Sequence, residues 1–200
     1  DNDGWLDLYL GTGDAYFQAL MPNRMFRNDR GQGFQDVTTS GGFGLIEKGH
    51  GVAFGDIDHD GDQDVFAAMG GAYEGDLGRN VLFENPGHGN HWVSLRLVGQ
   101  DSNRSAIGAR VSVEFDDGGL RRVLHRTVTS GSSFGGNPLR LDIGLGAAIG
   151  AVSVTVSWPT SGVVDVIDGV TPDAEYRIDE GSGRVEVVQR GPFVLGGEGA

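Results

Sequence analysis

Apolar positions in this chain fall in short alternating runs, and no segment carries a stripe at helical spacing. Val93, Leu95 and Leu97 line one face of His91–Gly99. Val111, Val113 and Phe115 do the same in Ala109–Phe115, and Asp116-Asp117-Gly118-Gly119 then supplies a hairpin turn. Leu139, Leu141, Ile143 and Leu145 alternate, as do Val152, Val154, Val156 and Trp158, with Pro159 ending that run. Val163–Val170, Ala174–Asp179 and Arg184–Gln189 complete the expected strands of this half. Short strands at regular spacing with turn signals predict a sandwich or barrel. Trp92 and Trp158 are expected to pack in its core beside the aliphatics.

Before Pro86-Gly87-His88-Gly89-Asn90 the pattern differs. Two short strands, His50–Phe54 and Val65–Met69, flank Asp-Ile-Asp-His-Asp-Gly-Asp-Gln-Asp at 56–64. Acids packed this densely repel one another unless a cation neutralises them. A hard dication such as Ca²⁺ takes about six to eight oxygens in flexible geometry. Asp56, Asp58, Asp60 and Asp64 are the candidate carboxylate ligands, and the Asp62 carbonyl is a further one. An EF-hand is excluded, because Ala67 stands where its bidentate Glu belongs and the flanks read as strands.

The loop recurs. Asp1-Asn2-Asp3-Gly4-Trp5-Leu6-Asp7 lies over 58–64 at an offset of 57 residues, and Asn23–Asn28 lies over Asn80–Asn85 at the same offset. Two motifs sharing one period predict a repeat with several short strands per unit, the signature of propeller blades. Asp1, Asp3, Asp7 and the Trp5 carbonyl are the candidate ligands of this first loop. It has no counterpart of Asp56, so the chain is expected to be a piece of a longer propeller protein with further blades upstream. Trp5 takes the place of Asp62 and is expected at the surface.

Charge follows the same division. The net charge is −13, with 15 acids against 5 bases in residues 1–89 and 13 against 10 in residues 90–200. This disfavours nucleic acid and anionic membranes as partners. No apolar run is long enough for a membrane helix, and there is no cysteine. The expected domains are 1–87, partial propeller repeats; 90–180, a β-domain; and 181–200, a last strand and a frayed tail. The fold class is all-β, with partial propeller blades carrying calcium loops followed by a β-sandwich-like domain.

Phe54–Asp64 resembles the FG-GAP/VCBS repeat, the calcium-loop blade of integrin-type propellers. The second half resembles the ASPIC/UnbV domain of the cartilage acidic protein-like family. The matching residues are Asn90–Val93, Leu97–Gly99, Ser102–Arg104, Ile107–Val111, Gly144–Gly146 and Trp158-Pro159. Thr160-Ser161-Gly162 makes the turn after Trp158-Pro159 one residue longer than that family's usual pattern. The resemblance implies calcium in the blades, an extracellular or cell-surface location and an upstream propeller. It supplies no reaction.

Enzyme signatures are weak. Gly131-Ser132-Ser133-Phe134-Gly135 matches the nucleophile elbow, but no histidine follows it and an alternating strand does. Gly144–Gly150 spaces its glycines wrongly for a dinucleotide loop. His88 and His91 lack the further ligands a zinc site needs and read as linker residues. Arg121, Arg122, His125 and Arg126 are expected to split over both faces of a strand, mostly solvated. Asn103-Arg104-Ser105 is a glycosylation sequon. The reading is a calcium-binding interaction module for a protein or glycan ligand, not an enzyme. The alternative is an accessory or catalytic part of a secreted or biosynthetic enzyme, with its site mainly outside this chain.

Overall fold

A computed structural model describes residues 1–14, 16, 18–71, 74–131 and 134–196. Its strands are β1 (Leu8–Leu10), β2 (Arg24–Asn28), β3 (Phe34–Asp36), β4 (Gly49–Gly55), β5 (Asp64–Met69), β6 (Val81–Phe83) and β7 (His91–Val98). They continue with β8 (Arg110–Asp117), β9 (Leu120–Thr127), β10 (Leu141–Gly146), β11 (Ala148–Ser157), β12 (Val164–Val170), β13 (Ala174–Asp179) and β14 (Val185–Val188). Among the described residues there is no helix. The protein is all-β, as expected.

The first half forms two three-stranded antiparallel sheets, β1-β2-β3 and β4-β5-β6. The repeat seen in the sequence is repeated in the register. Leu8 faces Phe26 and Tyr9 faces Met25, just as Val65 faces Phe83 and Phe66 faces Leu82, all at the offset of 57. Side-chain anchors repeat too. The Thr12 amide donates to Asn23 Oδ1 at 3.1 Å, and the Met69 amide to Asn80 Oδ1 at 3.0 Å. Tyr9, Met25, Val65, Ala67 and Met69 form one small buried cluster between the sheets, with the Phe43 and Phe83 rings packed on it 4.9 Å apart. Two repeats sharing a core in this way have the arrangement of adjacent propeller blades.

The second half packs two four-stranded sheets, β10-β7-β13-β14 and β12-β11-β8-β9, around a larger core. Period-two alternation sends Val93, Leu95, Leu97, Ile143 and Ile178 inward from the first sheet. Val111, Val113, Phe115, Val154 and Val156 meet them from the second. Fully buried aliphatics of this kind contribute roughly 1.5–3 kcal/mol each. Trp158 is buried as predicted, and its indole N–H donates to Asp165 at 2.7 Å. β13 runs parallel to β7, with Tyr176 beside Leu95, and β14 extends the same sheet beyond residue 180.

Trp92 corrects the expectation of a core role. Strict alternation puts it out of phase with Val93, so it lies half-buried on the outer face of its sheet. That face, which also carries Arg96, Asp142, Glu175 and Arg177, turns toward the acidic loops.

Candidate metal centre

The loop joining β4 to β5 is closed at its base by the Gly55–Asp64 pair. Within it, one carboxylate oxygen from each of Asp56, Asp58 and Asp60 lies within 4.8 Å of the others. Among the described residues this is the one such group of His, Cys, Asp and Glu side chains. Asp56 and Asp58 are buried and Asp60 is more open. His59 at φ +62° and Gly61 at φ +94° wind the backbone so that alternate side chains converge. The Asp60 amide donates to Asp56 Oδ1 at 3.1 Å.

Burial pushes the Asp56 carboxyl above the usual carboxylate range, the Arg140 guanidinium opposes this, and neighbouring Asp142 adds to it. Burial and then Asp60 raise Asp62 in the same direction. Both shifts reflect negative charge held together in a partly dry loop.

Asp64, also expected as a ligand, and the side chain of Asp62, whose carbonyl is the expected ligand, make further contacts. Asp64 Oδ2 accepts from the Ile57 amide at 3.0 Å, and Oδ1 from the Asn85 amide at 2.9 Å. Asp64 therefore ties the loop to the end of β6. The Asp62 side chain accepts from Asn2 Nδ2 at 3.0 Å.

The first loop copies this wiring. Asp7 Oδ1 accepts from the Asn28 amide at 2.7 Å, the counterpart of Asp64 and Asn85. The Trp5 amide donates to Asp3 Oδ1 at 2.9 Å, as the Asp62 amide does to Asp60 Oδ1 at 2.8 Å. Asn2 at φ +55° and Gly4 at φ +86° match His59 and Gly61. One difference separates the loops. Arg27 pairs with Asp1 at 2.7 Å, whereas the position equivalent to Arg27 in the second repeat is Glu84. The first loop thus holds its own counter-charge, and the second has an additional acid instead.

The second half covers both loops. Asn2 Nδ2 donates to the Gly61 carbonyl at 3.0 Å, joining loop to loop, and the Asn2 carbonyl accepts from the Gly146 amide at 2.8 Å. The Trp92 ring lies against Gly61. Arg140 reaches the Asp56 carbonyl at 3.2 Å and its carboxylate at 3.5 Å, while its Nε donates to Asp142 at 2.7 Å. The Phe193 amide donates to the Asp58 carbonyl at 2.9 Å, and its ring stands edge-on to His59. The expected frayed tail is therefore docked on the loop at Phe193, and its last residues, 197–200, lie outside the described ones.

The basic strand splits over two faces, as predicted. Arg121 is exposed and pairs with Glu114. Arg122, however, turns inward: it donates to the Asp3 carbonyl at 2.8 Å and stacks over Trp5, 5.2 Å from the ring centroid. Trp5 itself is 40% exposed. Arg126 donates to the Gly4 carbonyl at 3.2 Å. These two arginines serve the junction rather than solvent. His91 pairs with Asp173 at 2.7 Å. Ser132 and Ser133 of the elbow-like sequence lie outside the described residues, while Phe134 offers its carbonyl to the Val52 amide at 3.1 Å.

The donor set at 56–60 consists of oxygens alone, from carboxylates on a glycine-turned loop. That chemistry fits a hard cation such as Ca²⁺ and not a thiophilic or imidazole-bound metal. Sequence reading located these acids but missed Arg140, Asn2 and Phe193, whose roles depend on partners 59 to 144 positions away. Among the described residues, no helix is long and apolar enough to cross a membrane. No curated protein matches the chain. Residues 1–67 match the FG-GAP-like repeat family, and residues 99–185 match the ASPIC and UnbV family. The chain is an FG-GAP-like repeat segment followed by an ASPIC/UnbV domain.

Proposed function

We propose that this chain is a calcium-braced interaction module of an extracellular or cell-surface protein. It presents surfaces to a protein or glycan ligand and carries out no chemistry of its own. The observation that carries this reading is the convergence of Asp56, Asp58 and Asp60 in a loop of the FG-GAP-like repeat. Ca²⁺ there neutralises the loop, and the loop in turn supports the outer face of the β7 sheet through Trp92 and Arg140. Metal binding then fixes how the repeat segment and the ASPIC/UnbV domain sit together. FG-GAP-like repeats are typical of extracellular proteins, which supports the location.

Calorimetric titration of chelator-stripped protein with CaCl₂ tests the metal, with Asp58→Asn as the control. Heat in the parent protein that is lost in the variant is the expected result. No heat in either removes calcium from the reading.

A further inference from the structure

On the same outer face, beyond the metal loop, lies a cleft of about 650 Å³. We infer that it is a binding site for an acidic saccharide, a polyhydroxylated ligand bearing carboxylate or sulfate groups. This deepens the interaction-module reading by giving the ligand's chemistry, and rests on that reading only for its biological role.

Five arginines line the cleft: Arg96, Arg104, Arg140, Arg177 and Arg190. The lining carboxylates are two, Asp56 and Glu175. Asp142 and Asp179 pair with Arg140 and Arg177 from just outside the lining, so the cationic excess is small and is carried by Arg96 and Arg104, in a chain of net charge −13. The arrangement opposes the sheet's own preference. Arg96 stands directly beside Arg177 in the parallel β7–β13 register, and like charges so placed are destabilising. Arg177 is compensated by Asp179 at 2.9 Å. Glu175 lies 3.6 Å from both Arg140 and Arg190, beyond hydrogen-bond reach. Among the described residues, neither Arg96 nor Arg104 has an ion-pair partner.

Guanidinium groups present paired N–H donors that match carboxylate and sulfate. Several of them around one concavity suit a ligand with more than one anionic group. Ser105 adds a hydroxyl that can pair with the hydroxyl groups of a sugar acid, of which a simple oxyanion has few. The volume falls in the range of about 300–1,000 Å³ typical of small-ligand sites, so it admits a short oligosaccharide. Among the described residues, no aromatic side chain lines the cleft.

The test is calorimetry of the whole chain with a sulfated, uronate-containing hexasaccharide. It is run in chelator, so that failure of the calcium reading does not disturb it. A desulfated uronate hexasaccharide, sodium sulfate and a poly-glutamate hexapeptide are the comparison probes. Saturable binding of either saccharide is expected, and the two arms identify which anionic group is read. Arg96→Ala and Arg104→Ala should each weaken it by about tenfold, the loss of one charge-assisted contact. Arg121→Ala, on the opposite sheet, should leave it unchanged. The inference is overturned by absent binding, by equal loss in Arg121→Ala, or by equal affinity for sulfate or the peptide. Should Arg96→Ala melt early, amide shift mapping of the parent protein decides: perturbations must centre on Ser105 and β13.

Discussion

A Cβ placed on Gly61 would fall 2.0 Å from the indole ring of Trp92, far inside van der Waals contact. The tip of the acidic loop and the outer face of the β7 sheet are thus fitted to each other at a point where no side chain is tolerated. Gly61 also sits at φ +94°, where L residues are disfavoured. Gly61→Ala should therefore displace Trp92 and destabilise the chain by more than backbone strain alone, which is about 1–2 kcal/mol. Gly89→Ala is the comparison: its φ is +72°, but open space surrounds it. Chemical melts followed by tryptophan emission should show a larger loss for Gly61→Ala, with a red-shifted native spectrum. Equal losses would mean that the Trp92 contact contributes nothing.

Arg140 links Asp56, Asp142 and Glu175, all of them nearly closed to solvent. Burial works against its charge, and these carboxylates more than compensate, so its pKa is raised. Arg140→Met should leave buried carboxylates uncompensated, a loss of about 3–5 kcal/mol where the pair is fully buried. The same change removes a cation competing for Asp56, so calcium affinity should rise while stability in chelator falls. Paired melts and titrations read both effects. Weaker calcium binding in the variant would show that Arg140 positions Asp56 rather than competing for it.

The two loops differ in spare charge. Arg27 neutralises Asp1, while Glu84 occupies the equivalent place in the second repeat. Asp60→Ala should abolish most calcium binding, and Asp3→Ala should change it little. Extracellular calcium modules bind at about 10⁻⁴–10⁻³ M. Near 1 mM calcium, mass action then stabilises by roughly 0.5–1.5 kcal/mol. Melts of the parent protein with calcium and with chelator should differ accordingly, and Asp60→Ala should erase the difference. Equal effects of the two substitutions would contradict the proposed asymmetry.

Glu180 gives a pH prediction independent of the metal. Burial raises its carboxyl, but donors from Ser161, Ser102 and the Gln100 amide outweigh this and hold it down at about 2, from an ordinary 4.5. On acidification the unfolded chain takes up the proton first. Its contribution is therefore complete above the ordinary value and disappears as pH falls through about 2. Glu180→Gln should melt several degrees lower at pH 7, and the gap should narrow steadily below pH 4.5. A gap that does not depend on pH would show that packing, not charge, stabilises this corner.

The strands and both acidic loops were legible because their determinants are local. Alternation marks Val93, Leu95 and Leu97, and the offset of 57 marks the repeat, whose hydrogen bonds recur residue for residue. Trp92 was expected in phase with the buried aliphatics, but it directly precedes Val93, and strict alternation sends the two to opposite faces. Arg140 and Phe193 left no local sign. Their partners Asp56 and Asp58 are distant in sequence and meet them only after the sheets have formed. The parallel β7–β13 pairing was likewise invisible, since alternation is the same in parallel and antiparallel strands.

The packing also bears on how the chain divides. Among the described residues, the core shared by the β7 and β8 sheets draws on those between Val93 and Ile178, and includes Val111, Val154 and Leu145 at near-zero exposure. Such a core closes without help from the loops. Among the described residues, the cluster between the first two sheets has five buried members, in a segment with 15 acids and 5 bases. A fragment of residues 88–190 should therefore fold cooperatively and ignore calcium. Its Trp92, no longer against Gly61, should emit at longer wavelength than in the whole chain. A fragment of residues 1–89 should lack a cooperative melt even in calcium, because its small core must offset dense like charge and exposed sheet edges. Amide dispersion and thermal melts of both fragments provide the check. A disordered 88–190 fragment would show that the β7 sheet needs the acidic loops to form, and the two halves would then be one folding unit.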